Sequence, residues 1–330
     1  MFSSPIGTYP VGASVRGIRP LPLVGWPCDA HPHTWGAPAT GSERVAGIVS
    51  DEIGGVRDDA PVGGEPTDII RDIEDAFVAQ WSHFGRWPGG ELHEERGVLW
   101  TETPIRHLPY NAVLRTRLVT DDVDAVLGEI IARYRERDVA FMWLDHPTAS
   151  PKDLGRRLRE LGLAPVEAAR GMSLDLEDWA PEPSTVRVAE VVGTEDLAAY
   201  ADLIMRYWEI PPADQELVRE VNRHWSGERA PGHRYLAFDD DGTPIGKGYL
   251  SLAGPPGVAA IFGMSVLPEA RGRGVGGAIT TTMVSRAKEA GCERVVLHSS
   301  EAAVGLYRRA GFAERCRLTV YATSPLWSDK

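Results

Sequence analysis

A glycine-rich stretch between an apolar segment and a helical pattern constrains this chain most. Residues 271–277 read RGRGVGG and follow the strand-like run 258–267 across a short proline-containing connection. The next segment, 274–290, repeats apolar residues every four positions, which predicts a helix. N–H groups in a first helical turn have no partner within the helix, and the helix dipole is positive there. We therefore expect an anion site at this point, to which Arg271 and Arg273 add full charges.

Three kinds of glycine loop could bind a phosphate in such a place. The P-loop requires a Gly-Lys-Ser/Thr ending, which this stretch lacks. Gly272, Gly274 and Gly277 match the dinucleotide fingerprint G-x-G-x-x-G, but the proline connection separates them from the strand. The following strand also ends in His298 rather than in an acidic residue. These departures disfavour the P-loop and dinucleotide interpretations.

The third interpretation rests on two motifs in order. Arg271-x-x-Gly274-x-Gly276 resembles the pyrophosphate loop of the GNAT acyltransferases, which bind acetyl-CoA. A Val-Leu-Pro-Glu run precedes the arginine, and Leu306-Tyr307-x-x-x-Gly311-Phe312 closes the unit, as in that family. The resemblance implies an α+β fold with a mixed, mostly antiparallel sheet flanked by helices. It also implies acetyl-CoA or another acyl-CoA as co-substrate, and no metal.

The resemblance assigns the cofactor contacts to one strand edge and one loop. Backbone groups of the strand would pair with the pantetheine arm, and N–H groups of the loop would hold the pyrophosphate. A side chain at Gly274 or Gly276 is expected to clash with the cofactor. Ser300 stands where the family commonly has asparagine, so its contact with the cofactor arm departs from the family pattern. The residues implied are Met264, Ser265, Val266, Arg271, Gly272, Arg273, Gly274, Val275, Gly276, Gly277 and Ser300.

The resemblance assigns one of the two catalytic roles, the proton donor, and leaves the general base open. Tyr307 matches the family's tyrosine, which protonates the departing thiolate. With a pKa near ~10, the phenol keeps its proton at neutral pH and so has one to give when the thiolate, of a thiol near ~8.5, departs. The general base stays open, because strand 258–267 carries no acid where many members have glutamate. His298, Glu209 and deprotonation through water are the alternatives.

The chain divides into an arm and two similar segments. Residues 1–64 are rich in Gly and Pro without periodicity, and we expect an irregular N-terminal arm. Cys28, His31 and His33 in it have metal-ligand side chains, but no second pair is near, so an ordinary polar loop is favoured. Residues 65–180 and 184–330 are predicted to be two GNAT-like domains. Strands at 91–102, 109–119, 139–144 and 166–176 alternate with helices as in the second segment.

The first of the two segments lacks the phosphate loop. After its strand 109–118 no glycine occurs until Gly128, so it offers no evident place for a pyrophosphate. We interpret residues 65–180 as a degenerate copy with an architectural role. The second segment, 184–330, is the predicted catalytic domain.

Length, composition and charge indicate the compartment and the kind of partner. The 330 residues suffice for two domains, and no apolar run approaches the length of a membrane span. Three cysteines and the absence of a signal pattern suggest the cytoplasm. A net charge of −12 argues against nucleic acid and favours a small cationic amine as substrate. Whether the chain forms a homodimer is left open.

Three functions agree with these features. The first is an N-acyltransferase that moves acetyl from acetyl-CoA to a primary amine by direct attack. The second is a non-catalytic acyl-CoA-binding sensor or scaffold, which would not need Tyr307 together with the intact loop. The third is a protein N-acetyltransferase, since the acceptor specificity lies in segments without a recognisable motif.

Overall fold

The computed structural model describes residues 68–323, which all lie in one compact unit. The helices are α1 (Asp68–Arg86), α2 (Val123–Glu136), α3 (Leu154–Glu160), α4 (Gly193–Tyr207), α5 (Pro212–His224), α6 (Val275–Glu289) and α7 (Val304–Arg309). The strands are β1 (Glu91–Glu95), β2 (Val98–Glu102), β3 (Ala112–Thr116), β4 (Met142–Asp145), β5 (Ala164–Asp175), β6 (Arg187–Glu190), β7 (Gly232–Phe238), β8 (Pro244–Ser251), β9 (Val258–Val266), β10 (Arg294–Ser299) and β11 (Ala313–Ala322). The predicted arm 1–64, with Cys28, His31 and His33, lies outside the described residues.

The element order follows the sequence prediction with one exception. Residues 91–102, predicted as one strand, form the hairpin of β1 and β2. Arg96 and Gly97 both have positive φ, at 49° and 83°. Two successive residues of this kind form the tight turn whose twist suits a two-residue hairpin. The chain therefore reverses where the sequence pattern indicated continuity.

A single sheet runs through the described residues. Its strand order is β1-β2-β3-β4-β11-β5-β10-β9-β8-β7-β6. The pairs β3–β4 and β9–β10 are parallel, and the other pairs are antiparallel. The predicted mixed, mostly antiparallel sheet flanked by helices is confirmed.

The N-terminal half (α1–α3 and β1–β5) and the C-terminal half (α4–α7 and β6–β11) exchange their last strands. Strand β11 pairs with β4, with Thr319 opposite Asp145. Strand β5 pairs with β10, with Gly171 opposite His298. Each last strand thus completes the sheet of the other half, and β5 and β11 also pair with each other. The two halves are therefore joined along the middle of one sheet.

The exchanged strands carry core side chains with them. Tyr321 of β11 packs among buried residues of the N-terminal half, including Trp143. Met172 and Leu174 of β5 pack in the core of the C-terminal half, beside Val295. Burial of apolar surface stabilises by about 25 cal/mol per Å². Separating the halves would expose these side chains to water. Their burial therefore stabilises the exchanged arrangement of the strands.

Helix α1 covers the seam between the halves. Its apolar residues recur every four positions, which places them on one face. Ile73 packs against Val258 and Val296 of the C-terminal half. Phe77, one turn later, packs against Leu114 of the N-terminal half. Helix α1 therefore packs against both halves of the protein where they meet in the middle of the sheet.

Among residues 68–323, no helix combines the length and the apolar character that crossing a bilayer requires.

Candidate active site

The sheet opens on one side of β9. Its parallel ladder with β10 runs from Val258 to Ile261, which pairs with Leu297, and ends there in the described chain. Gly263 follows with φ of 57°, a conformation that glycine adopts without strain. The antiparallel ladder with β8 continues to Val266 on the other side. The edge of residues 262–266 that faces β10 is therefore open to an extended ligand. It includes Met264, Ser265 and Val266, whose contacts with the pantetheine arm remain a prediction.

The glycine loop leads from this open edge into α6. After a 3-10 turn at Pro268–Ala270, Gly272 and Gly274 have φ of 76° and 79°. Gly274 is the N-cap residue of α6, which begins at Val275. Added Cβ atoms at Gly272 and Gly274 would meet open space, so the backbone conformation is what favours glycine there. The loop thus presents the N–H groups of the first turn of α6 to an anion.

Gly276 has a different reason to be glycine. A Cβ atom there would lie 3.1 Å from Cδ2 of Leu306 on α7, so the residue permits close helix packing. Its carbonyl oxygen accepts a hydrogen bond from the hydroxyl of Thr280. A Cβ atom at Gly277, by contrast, would contact nothing within 4 Å. A side chain at Gly276 would therefore press on the packing between α6 and α7.

The two arginines of the loop have different partners. Arg271 is exposed, and its Nε donates to the carbonyl oxygen of Val266 at 3.3 Å. Arg273 donates to both carboxylate oxygens of Asp239, at 2.6 and 3.1 Å. This guanidinium lowers the pKa of the Asp239 carboxyl to about 2. No local sequence pattern indicates this pairing, because Asp239 and Arg273 lie 34 positions apart.

Tyr307 lies in the buried core of the C-terminal half. It is 4% exposed, and its ring packs edge-on to Phe312 with centroids 5.7 Å apart. Burial raises the pKa of its phenol, and the neighbouring Tyr207 phenol raises it further. The phenol therefore stays protonated at neutral pH, as a proton donor must. Tyr207 is at the end of α4, two residues before Glu209, so the α4–α5 turn lies near Tyr307.

Ser300 begins the 3-10 turn Glu301–Ala303 that precedes α7. Its hydroxyl makes no capping hydrogen bond to that turn. The hydroxyl therefore does not cap this turn, and its contact with a cofactor remains a prediction.

His298 lies at the seam between the halves. Its ring is 5.0 Å from that of Phe77 and 5.6 Å from that of His146. Within the described residues, its Nε2 atom is buried and has no hydrogen-bond partner. Burial lowers the pKa of His298 well below its ordinary value, and His146 lowers it further. The imidazole is therefore neutral at pH 7, and the same lowered pKa makes it a weak base.

Glu209, the other candidate base, is exposed in the turn between α4 and α5. Its φ of 49° is unusual for a residue with a side chain and places it at a sharp reversal of the chain. The position agrees with the expected acceptor side of the site.

Two other features lie away from this arrangement. A cavity of about 750 Å³ is lined by the end of β6, the start of α4 and the 227–233 segment. Those elements meet at the end of the sheet where β9 begins, opposite the glycine loop. On the β1–β2 hairpin, Glu91, His93 and Glu102 could together contact a metal ion. Arg133 and Arg137 already bind Glu102, at 2.7 and 3.1 Å, which satisfies its charge without a metal.

Comparison with known proteins places this site in a family. Residues 197–312 match the model of the acetyltransferase (GNAT) family. A 105-residue segment is 31% identical to mycothiol acetyltransferase from Arthrobacter sp. (strain FB24), covering 30% of this chain and 32% of that protein. The matched segment thus spans about a third of the length of this curated relative. Residues 197–312 are thus a GNAT-family domain, which lies in the C-terminal half.

Solved structures share the fold over most of the chain. A GCN5-related N-acetyltransferase from Kribbella flavida aligns with a TM-score of 0.58 at 20% identity, covering 77% of this chain and 95% of that one. A tandem GNAT protein from the clavulanic acid biosynthesis pathway aligns with a TM-score of 0.51 at 14% identity, covering 87% and 97%. At these identities the likeness concerns the fold alone. It extends into the N-terminal half, beyond residues 197–312.

Proposed function

We propose that this protein transfers an acetyl group from acetyl-CoA to the primary amine of a small molecule. The observation that carries the proposal is the continuity between the open edge of β9 and the N-terminus of α6. An extended, amide-bearing arm can pair with the open edge, and the pyrophosphate at its end can then reach the loop of residues 272–277. The family match of residues 197–312 supports acetyl-CoA as the donor.

In this proposal the amine attacks the thioester carbon directly. A bond forms between the amine nitrogen and the carbonyl carbon, and the carbon–sulfur bond then breaks. Tyr307 gives its proton to the leaving thiolate, and its raised pKa keeps that proton available. Backbone N–H groups on the open edge of β9 are suited to stabilise the developing oxyanion. No acyl-enzyme is required.

We further propose that the N-terminal half is a degenerate copy that binds no CoA. In both halves a strand, a helix and a parallel strand follow one another, as β3-α2-β4 and β9-α6-β10. The start of α2, however, has Asp122 as its N-cap residue and Asp124 in its first turn, where α6 has glycines. These carboxylates would repel a pyrophosphate at that helix end.

The acceptor is proposed to be a small, cationic amine. The net charge of −12 favours the approach of cations. Exposed Glu209 in the α4–α5 turn adds a local negative charge on the expected acceptor side. A protein N-terminus or lysine as acceptor is the alternative, and an amine panel that includes short peptides separates the two.

A screen of acyl donors against amines tests the proposed function. The assay follows the free thiol of CoA released from acetyl-, propionyl- and succinyl-CoA with polyamines, aminoglycosides, aryl amines, amino acids and peptides. We expect amine-dependent thiol release with acetyl-CoA. Tight CoA binding in calorimetry without thiol release from any pair would instead support the sensor or scaffold.

A further inference from the structure

Lys247 is a buried amine beside the open edge of β9. It lies on β8, and its side chain is among the buried polar groups, at 2% exposure. Its Nζ atom donates to the carbonyl oxygen of Gly263 at 2.6 Å and lies 5.3 Å from the ring centroid of Tyr200. Among residues 68–323, no carboxylate comes within ion-pair distance of this amine. Sequence reasoning did not single it out.

Burial without a counter-charge makes this lysine unusual. Removing an ammonium from water is costly unless it is paired, and the group then tends to lose its proton instead. Burial accordingly lowers the pKa of Lys247 to about 7. The ionisable groups around it include the phenol of Tyr200 on α4, the phenol of Tyr249 on β8 and the guanidinium of Arg234 on β7. The Arg234 guanidinium carbon lies 5.7 Å from the ring centroid of Tyr200 and 5.5 Å from that of Tyr249. Burial raises the pKa of both phenols, so none of these groups neutralises an ammonium.

The residue type also matters. Only four of the 35 basic residues are lysines: Lys152, Lys247, Lys288 and Lys330. An arginine keeps its charge in every protein environment, whereas a lysine can become neutral when it is buried. Of the lysines in the described chain, Lys152 and Lys288 are exposed. The buried position beside the opening is thus held by a side chain that can exchange a proton near neutral pH.

The position of Lys247 follows from the geometry of the sheet. Gly263, its partner, is the residue with positive φ just after the β9–β10 ladder ends. Ser265, two residues later, lies opposite Lys247 in the β8–β9 ladder. A Cβ atom added to the neighbouring Gly248 would contact Ile279 on α6, so the Lys247 side chain points to the other face, toward α4. The amine thus lies beside the segment that would hold the donor, on the face away from α6.

We propose that Lys247 takes the proton that the acceptor amine loses as it attacks the thioester. This inference rests on the function proposed above. The neutral Lys247 amine accepts the proton from the nitrogen of the tetrahedral intermediate, and Tyr307 gives its own proton to the thiolate. Lys247 then releases its proton to solvent, and Tyr307 regains one, so the protein returns to its starting state. His298, whose burial leaves it a weak base, and exposed Glu209 are less suited to this task.

The first experiment measures the amine itself and requires no acceptor. Protein labelled with ¹³C at the lysine Cε position contains four such groups, so their NMR signals can be followed through a pH titration. The signal lost in Lys247→Met identifies this residue. We expect a midpoint near pH 7 for Lys247, against the ~10.4 of a lysine in an unfolded chain. A midpoint above 9 for Lys247 would overturn the proposal, whether or not an acceptor is found.

The second experiment measures the rate of transfer from acetyl-CoA to the most active amine of the screen. Wild-type kcat/KM should rise with pH to a plateau, with an inflection near 7. Lys247→Met should lose that inflection and fall by ~10²–10⁴, the usual contribution of a general base. Lys247→Arg keeps a cation but cannot lose its proton, so it should not restore turnover. Lys152→Met, an exposed lysine, serves as the matched control and should behave as wild type.

CoA affinity separates the possible failures. Calorimetry with CoA should give Lys247→Met an affinity within about threefold of wild type, because the amine takes no part in holding the pyrophosphate. Restored turnover in Lys247→Arg, or an inflection that persists in Lys247→Met, would show that Lys247 is structural while the proposed function stands. Absence of thiol release by wild type with every amine would count against the proposed function, and the NMR titration would still decide on the lysine.

Discussion

Arg170 on β5 donates to both carboxylate oxygens of Glu314 on β11, at 2.9 and 3.0 Å. The same guanidinium donates to Glu301 at 2.8 and 2.5 Å. Glu301 belongs to the turn that leads into α7 and Tyr307. An arginine of the N-terminal half thus ties together two segments of the C-terminal half. The exchanged strand β5 is therefore linked through Arg170 to the turn that precedes Tyr307 of the proposed active site.

Replacing Arg170 tests how much this connection stabilises the protein. Arg170→Met should lower the free energy of unfolding by about 1–3 kcal/mol, because its side chain is largely buried and Glu314 loses a charged partner. Urea denaturation measures the change. Arg156→Met, which removes the exposed ion pairs with Asp153 and Glu160, is the control and should lower the free energy of unfolding much less. Equal effects of the two substitutions would contradict the role assigned to Arg170.

Gly277→Asp tests the pyrophosphate loop without disturbing the core. A side chain there has open space, and an aspartate in a first helical turn favours the helix. Like charges ~4 Å apart near a protein surface repel by about 4 kcal/mol, so CoA affinity should fall at least ~100-fold. Calorimetry with CoA measures this. Gly128→Asp in α2, where a Cβ atom also meets nothing within 4 Å, should leave affinity unchanged. Normal affinity in Gly277→Asp would remove the loop from the proposal.

Gly276→Asp, although it is the substitution that sequence reasoning suggests first, is the poorer test. Its Cβ would press on Leu306, so loss of binding could result from loss of packing. A melting curve of this variant should show a lower Tm than that of Gly277→Asp. Identical melting temperatures would show that the α6–α7 contact tolerates a side chain at this position.

One CoA per chain is the expected stoichiometry. The start of α2 carries Asp122 and Asp124 where α6 carries glycines, so only the C-terminal half should bind the cofactor. Calorimetry or equilibrium dialysis with CoA gives the number directly. A value of two per chain would show that the N-terminal half is not a degenerate copy.

Tyr307→Phe tests the proton donor. The substitution keeps the ring against Phe312, so packing should hardly change, while turnover should fall by ~10²–10⁴ with CoA affinity preserved. Tyr235→Phe is the matched control, because that buried hydroxyl has no hydrogen-bond partner among the described residues. Steady-state kinetics beside a melting curve compares the two. Turnover within about threefold of wild type would remove Tyr307 from the mechanism.

Stability should rise with pH because of Lys247. Its pKa is about 7 in the folded protein and near ~10.4 in an unfolded chain, so between these values the unfolded state binds more protons. The free energy of unfolding then increases with pH, by at most about 1.4 kcal/mol per pH unit from this group. Urea denaturation at pH 7, 8 and 9 should show a steeper rise for wild type than for Lys247→Met. Parallel pH dependences would mean that Lys247 stays charged when folded.

Local sequence patterns predicted most of the elements and the loop. The spacing of apolar residues indicated α6, and the glycines placed its start within one residue of the observed Val275. These features depend on neighbours within a few positions, because helix periodicity and positive φ are properties of short segments. The same locality explains the failure at residues 91–102. The turn at Arg96 and Gly97 interrupts a run that otherwise has the composition of one strand.

Tertiary structure alone decided which strands pair and which side chains meet. No local pattern shows that β11 inserts beside β4, or that Asp239 holds Arg273, because the partners lie far apart in sequence. Lys247 is the clearest case. In the sequence it is one lysine between two glycines, and nothing there indicates its burial. Its proton affinity comes from the low dielectric surroundings that β7, β9 and α4 create only when they pack around it.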